Sequence, residues 1–162
     1  MSDDFLTFDN DDIEIEENTT QDNPWKILIS DDEEDIHVLT KMVLNDYEFE
    51  GRTLKIYDAY SGKETLEILK EHDDIALILL DVVMENENSG LLCAKAIREE
   101  LKNEETRIIL RTGQPGQTPE KEVILNYDIN DYKSKTELTA SKLFTSVTSS
   151  LRTYKYIVAI SK

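Results

Sequence analysis

An uninterrupted apolar run, Ile75-Ala76-Leu77-Ile78-Leu79-Leu80, ending on the carboxylate Asp81, constrains this chain more than any other feature. Six consecutive apolar residues suit a strand buried on both faces, as in a parallel sheet covered by helices. An acid at its last position is then delivered to the sheet's carboxyl edge, where open α/β folds bind their ligands. Two more runs behave alike: Lys26-Ile27-Leu28-Ile29-Ser30 leads into Asp31-Asp32, and Arg107-Ile108-Ile109-Leu110-Arg111 leads into Thr112-Gly113. A fourth short run ends at Tyr132 and is followed by Lys135. Three carboxylates, a hydroxyl and an ammonium are therefore expected in one crevice, a set able to bind a divalent metal and accept a phosphoryl group.

The segments between these runs have helical spacing. Glu33, Glu34 and Asp35 place negative charge in a first turn, and Ile36, Leu39, Met42 and Val43 form one apolar stripe of a helix ending near Asn45-Asp46. A second strand is expected over about residues 53–59, followed by Ser61 as N-cap of a helix carrying Leu66, Ile68 and Leu69. The polar loop of residues 82–89 leads through Gly90 into a third helix with Leu91, Ala94, Ile97 and Leu101. Two Gly and two Pro within residues 112–119 demand a loop, with Pro119 near the start of a short helix over about 120–126. The last strand is expected over about 128–132, and Leu143, Val147, Leu151 and Tyr154 line a long final helix. Five strands alternating with five helices predict an α/β fold built on a doubly wound parallel sheet.

Length and charge bound the rest. The chain has 162 residues, 39% of them hydrophobic, which suits one domain with a short appendage. Its formal net charge is −17, and residues 1–24 hold nine acids and no base. Residues 1–23 are expected to be an acidic tail, disordered by default because their apolar content is too small to offset ordering entropy. Docking through Phe5, Leu6, Phe8 and the alternating residues 12–16 is the alternative. The domain is expected over residues 24–154. Residues 155–162 should begin a linker helix to a further domain, because Tyr156, Ile157, Val158 and Ile160 leave an apolar end. Such acidity argues against direct nucleic-acid binding, which needs clustered Lys and Arg. The chain lacks both a spanning apolar stretch and a signal peptide, so it is expected to be cytoplasmic, with no membrane partner. Cys93, the single cysteine, is expected to be a small core residue.

At the strand ends, Asp32 and Asp81 suit direct ligation of a hard cation such as Mg²⁺, Asp31 suits ligation through water, and the Val83 main-chain carbonyl supplies a further oxygen. Acidic loops facing solvent are the competing reading of each acid alone. Asp81 is the expected phosphoacceptor, with Thr112 and Lys135 as partners of the phosphoryl oxygens and Lys133 as a nearby competitor.

The stretches Ile27-Leu28-Ile29-Ser30-Asp31-Asp32-Glu33-Glu34, Leu79-Leu80-Asp81-Val82-Val83-Met84, Arg111-Thr112-Gly113 and Asn130-Asp131-Tyr132-Lys133-Ser134-Lys135 resemble, in order and spacing, the signatures of response-regulator receiver domains of two-component signalling. The resemblance implies a flavodoxin-like sheet of strand order 2-1-3-4-5. It also implies phosphorylation of Asp81 by a histidine kinase or phosphotransfer protein with Mg²⁺, and no enzymatic activity beyond self-phosphorylation and autodephosphorylation. It selects Lys135 over Lys133 and makes Thr112 and Tyr132 the switch pair that alters the face of the fourth helix, fifth strand and fifth helix. Residues 107–120 and 127–140 resemble more narrowly the receivers of larger bacterial regulators with a sensor-like middle domain and an HD-type phosphohydrolase or other cyclic-dinucleotide output. A homodimer is compatible with these features. The chain departs from the family at Glu85 and Thr136, where Pro is usual, and Thr136 puts the customary cis geometry after Lys135 in question.

Three other readings compete. A haloacid-dehalogenase-type phosphohydrolase would need a second Asp where Val83 stands. Dinucleotide binding would need glycines where Asp31-Asp32 stands. A degenerate receiver used only for docking is kept open by Glu85 and Thr136. Val83 also bears on signal lifetime: it cannot orient the water that hydrolyses an acyl phosphate, which leaves Gln114 as the nearby polar candidate and predicts slow decay.

Overall fold

The computed structural model describes residues 23–113, 121–135 and 139–161. The expected tail through residue 22, the residues Gln114 and Pro119, and the Lys135–Thr136 bond lie outside them. Strands and helices alternate: β1 (Trp25–Ser30), α1 (Glu34–Val43), β2 (Leu54–Ala59), α2 (Gly62–Glu71), β3 (Ile75–Asp81), α3 (Ser89–Glu99), β4 (Arg107–Thr112), α4 (Lys121–Asn126), β5 (Asp131–Ser134) and α5 (Ala140–Ser161). The strands form one sheet in the order β2-β1-β3-β4-β5, and every adjacent pair is parallel. This is the expected doubly wound architecture.

Every residue of β3 is buried, as its unbroken apolar run requires of a central strand. Alternate residues feed two core layers. Leu28, Ile78, Leu80, Ile108 and Leu110 pack with Leu69, Cys93, Ala94 and Ile97 from α2 and α3. Ile27, Ile29, Leu77, Leu79 and Ile109 pack with Leu143, Val147 and Leu151 from α5, and with Leu44 and Tyr47 past the end of α1. Ser61 caps α2 as expected, its hydroxyl accepting from the Glu64 N–H at 3.1 Å.

The apolar stripe expected on α1 is not the face that packs. His37, Thr40 and, just past the helix, Leu44 are buried, whereas Leu39 and Met42 are 56% and 68% exposed and Val43 also faces solvent. The reason is local. α1 lies over the polar end of the sheet, where His37 places Nδ1 2.6 Å from Asp58 Oδ1 and Nε2 2.7 Å from the Asp31 carbonyl. Hydrogen bonds, and not apolar area, choose the buried side.

The last strand also begins later than expected, at Asp131. Asp128 adopts a left-handed φ of 52°, and the Ile129 N–H donates to the Ile124 carbonyl at 3.1 Å, so residues 128 and 129 close α4 before the Asn130 N–H reaches the Ile108 carbonyl of β4 at 2.8 Å. α5 runs unbroken through Tyr154 to Ser161, so the residues expected to begin a linker helix continue the same helix. Among the described residues no helix is long and apolar enough to cross a membrane.

Candidate functional site

Parallel register brings the strand ends to one level. Ser30 lies opposite Leu80, so Asp31 follows β1 where Asp81 ends β3, and Asp81 in turn lies opposite Arg111 of β4. One carboxylate oxygen each from Asp31, Asp32 and Asp81 falls within 4.8 Å of the others. Asp31 and Asp81 are buried and Asp32 is exposed, so the cluster opens to solvent on one side.

Backbone donors orient the two buried acids. The Glu33 N–H donates to Asp31 Oδ1 at 2.9 Å, and the Val83 N–H donates to Asp81 Oδ1 at 3.3 Å. Burial first, then the Asp31 charge, pushes the Asp81 carboxyl up to about 6, against the pull of Lys135 and the Val83 N–H. Crowded carboxylates of this kind favour a cation between them. Their hard oxygen donors fit Mg²⁺ by chemistry and by spacing.

Lys135, just past β5, supplies a protein cation to the same point. Its Nζ lies 3.2 Å from Asp81 Oδ2, 3.2 Å from Glu33 Oε1 and 3.0 Å from Asp31 Oδ2. The last contact is ionic and lacks the geometry of a hydrogen bond. Burial alone would lower the Lys135 pKa, but Asp31 and Asp81 outweigh it and hold the ammonium above its ordinary value. The lysine stem passes Gly113, where an added Cβ would stand 3.7 Å from Lys135 Cδ. Lys133 is elsewhere, paired with Asp131 at 3.5 Å within β5. Thr112 is buried at the end of β4, one residue beyond the register partner of Asp81. Tyr132 is half-buried against the layer formed with α2 and α3, and Val83 is half-buried in the loop after Asp81.

Gly90 sets how closely α3 approaches the site. Its N–H donates to the Val82 carbonyl at 2.8 Å, and a Cβ there would collide with the Asp81 carbonyl and come to 2.7 Å from Val82 Cα. No side chain larger than hydrogen fits without moving the end of β3.

The contacts of three residues were not legible in the sequence. His37 ties α1 to the Asp31 carbonyl; its position one turn into a helix that follows two acids was the available signal. Arg111 is a fully buried cation that sequence shows only as a charge closing an apolar run. Glu85, where the family pattern has Pro, accepts from the Gly62 N–H at 2.9 Å and so latches the loop after β3 to the first turn of α2.

A five-stranded parallel sheet with three clustered carboxylates and a lysine at its carboxyl edge defines an α/β domain with a candidate cation site at that edge. Residues 27–148 match the model of the response regulator receiver domain, and the chain belongs to that family. It is 47% identical over 137 residues to the 3'3'-cGAMP-specific phosphodiesterase 2 of Vibrio cholerae serotype O1, an alignment covering 85% of this chain and 26% of that protein. The chain thus spans about a quarter of the length of that relative. Among solved structures, the N-terminal domain of a response regulator/sensory box/GGDEF three-domain protein from Carboxydothermus hydrogenoformans superposes with a TM-score of 0.68 at 24% identity, covering 82% of this chain and 98% of that one. The signal receiver domain of an HD domain-containing protein from Pseudomonas fluorescens Pf-5 gives 0.65 at 20% identity, covering 83% and 99%. The last two show the shared fold. The phosphohydrolase and dinucleotide readings are set aside by family membership.

Proposed function

We propose that this receiver domain takes a phosphoryl group onto Asp81 from a phosphohistidine of a histidine kinase or phosphotransfer protein. The observation that carries this reading is Lys135 Nζ, 3.2 Å from Asp81 Oδ2 inside a cluster of three carboxylates. A carboxylate oxygen of Asp81 attacks phosphorus and forms a P–O bond. The donor's P–N bond breaks, and its electron pair returns to the imidazole nitrogen. Lys135 and the Thr112 hydroxyl hold the equatorial oxygens as charge moves onto them. Asp32 and Asp81 would hold Mg²⁺ directly, Asp31 through water, and the Val83 carbonyl would complete the protein ligands. Bound there, the ion would offset the charge of the phosphoryl oxygens.

Transfer replaces a carboxylate by a dianionic group, and the new acceptor oxygens favour an inward shift of Thr112 with Tyr132 turning behind it. Such a change biases the face of α4, β5 and α5 only to the extent that the phosphorylated state contacts it differently. Output in a longer protein through cyclic-dinucleotide turnover is supported by the phosphodiesterase relative. Residues 24–154 would be the receiver and residues 155–162 the beginning of a linker helix, with the acidic N-terminal segment outside both. The test is labelling by a small acyl-phosphate donor with and without Mg²⁺. Mg²⁺-dependent label on Asp81 supports the reading, and its absence would leave a receiver used for docking alone.

A further inference from the structure

Arg111 is the largest fully buried side chain described, with no exposed surface. It shares the sheet face of Ile109, two residues earlier, and lies beneath α1, where its Nη1 donates to Thr40 Oγ1 at 3.1 Å. Neither Nε nor Nη2 has a hydrogen-bond partner among the described residues. A cation sealed from water with more than half its donors unsatisfied is costly, and an aliphatic side chain would suit that layer better. Lys135 already supplies the ammonium at the open side of the cluster. Something else must favour a guanidinium at this depth.

Its row in the sheet provides that. Arg111 is the register partner of Asp81 on β4, and Asp31 stands beyond Asp81 at the end of β1. Both carboxylates favour the charged guanidinium; burial pulls its pKa down to about 10, which still leaves it protonated at neutral pH. We propose that Arg111 is a charge-tuning residue of the carboxylate site, a permanent buried cation in the same row of the sheet as Asp31 and Asp81 that offsets part of their repulsion. The acids then stay together without a metal, and they bind a divalent cation less tightly than they would alone. This rests on reading the cluster as a Mg²⁺ site. Guanidinium and Mg²⁺ repel each other through a low-dielectric interior that salt screens poorly, so the effect persists at high ionic strength.

Calorimetric titration of the whole chain with Mg²⁺, with no phosphoryl donor present, tests this. Arg111→Met removes the charge and keeps most of the volume, Arg111→Gln removes it and keeps a polar head, and Arg111→Lys retains it. Mg²⁺ should bind the two neutral variants at least about tenfold tighter than the parent, and Arg111→Lys within about threefold of it. A merely structural arginine gives the opposite sign, because its loss would loosen the site. Unchanged or weaker Mg²⁺ binding in a neutral variant whose circular dichroism is native would overturn the proposal. So would failure of both neutral variants to fold in saturating Mg²⁺, since the metal should replace the missing charge. If the parent itself bound no Mg²⁺, the site reading would fall first, on the parent titration alone, and this inference with it.

Discussion

Lys135 and Asp81 are 54 residues apart in the chain and 3.2 Å apart in the fold, with the lysine Nζ facing Asp81 Oδ2. The same ammonium reaches Asp31 at 3.0 Å, so one cation joins the ends of β1, β3 and β5. Before any phosphoryl group arrives, the proposed acceptor is already paired with the residue that would hold the incoming oxygens. A preorganised donor of this kind needs little rearrangement as charge develops.

Asp81→Asn should abolish labelling by a small acyl-phosphate donor, and Lys135→Ala should slow it by at least about tenfold. Lys133→Ala should stay within about twofold of the parent, because Lys133 pairs with Asp131 instead. Labelling time courses of the three variants check this. Equal loss in both lysine variants would undo the distinction.

The pH dependence follows from Asp81, whose carboxyl is pushed up to about 6 by burial and by Asp31. A carboxyl group with a folded pKa above its unfolded one favours the folded state at low pH and loses that contribution as pH rises through the folded value. At this group the metal-free protein should therefore lose about 2–3 kcal/mol between about pH 4 and pH 7. Urea melts of parent and Asp81→Asn in chelator should be close at about pH 4 and diverge by that amount at about pH 7, with the variant more stable. Convergence at both pH values would refute the shift.

Signal lifetime tests Val83. A branched apolar side chain two residues beyond Asp81 cannot orient a hydrolytic water, so the acyl phosphate should last many minutes. Val83→Asn or Val83→Glu should shorten that lifetime severalfold, measured as loss of label after donor removal. A parental half-life of seconds, unmoved by either substitution, would contradict it.

Gly90→Ala tests the packing of α3 on the end of β3. The added Cβ meets backbone of Asp81 and Val82, which cannot rotate away as a side chain could. Stability should fall by about 2–4 kcal/mol in denaturant unfolding, with Mg²⁺ binding weakened in parallel. A loss below about 0.5 kcal/mol would show that α3 shifts freely.

The sequence by itself determined the sheet, its parallel order of elements and the acids at its edge. Burial on both faces demands the unbroken run of β3, and only crossover helices can join parallel strands, so local pattern was enough. The buried face of α1 was not legible, because His37 and Thr40 are polar and their burial depends on partners at Asp58, the Asp31 carbonyl and Arg111. The start of β5 was missed for a related reason, since the left-handed Asp128 lies within an apparent strand pattern. Arg111 is the clearest case. Chain order shows a charge beside a threonine, and only the register with Asp81 and the cover of α1 turn it into a buried cation in the row of the acids. Periodicity records which residues seek water, whereas electrostatic pairing across tens of residues exists only once strands are in register.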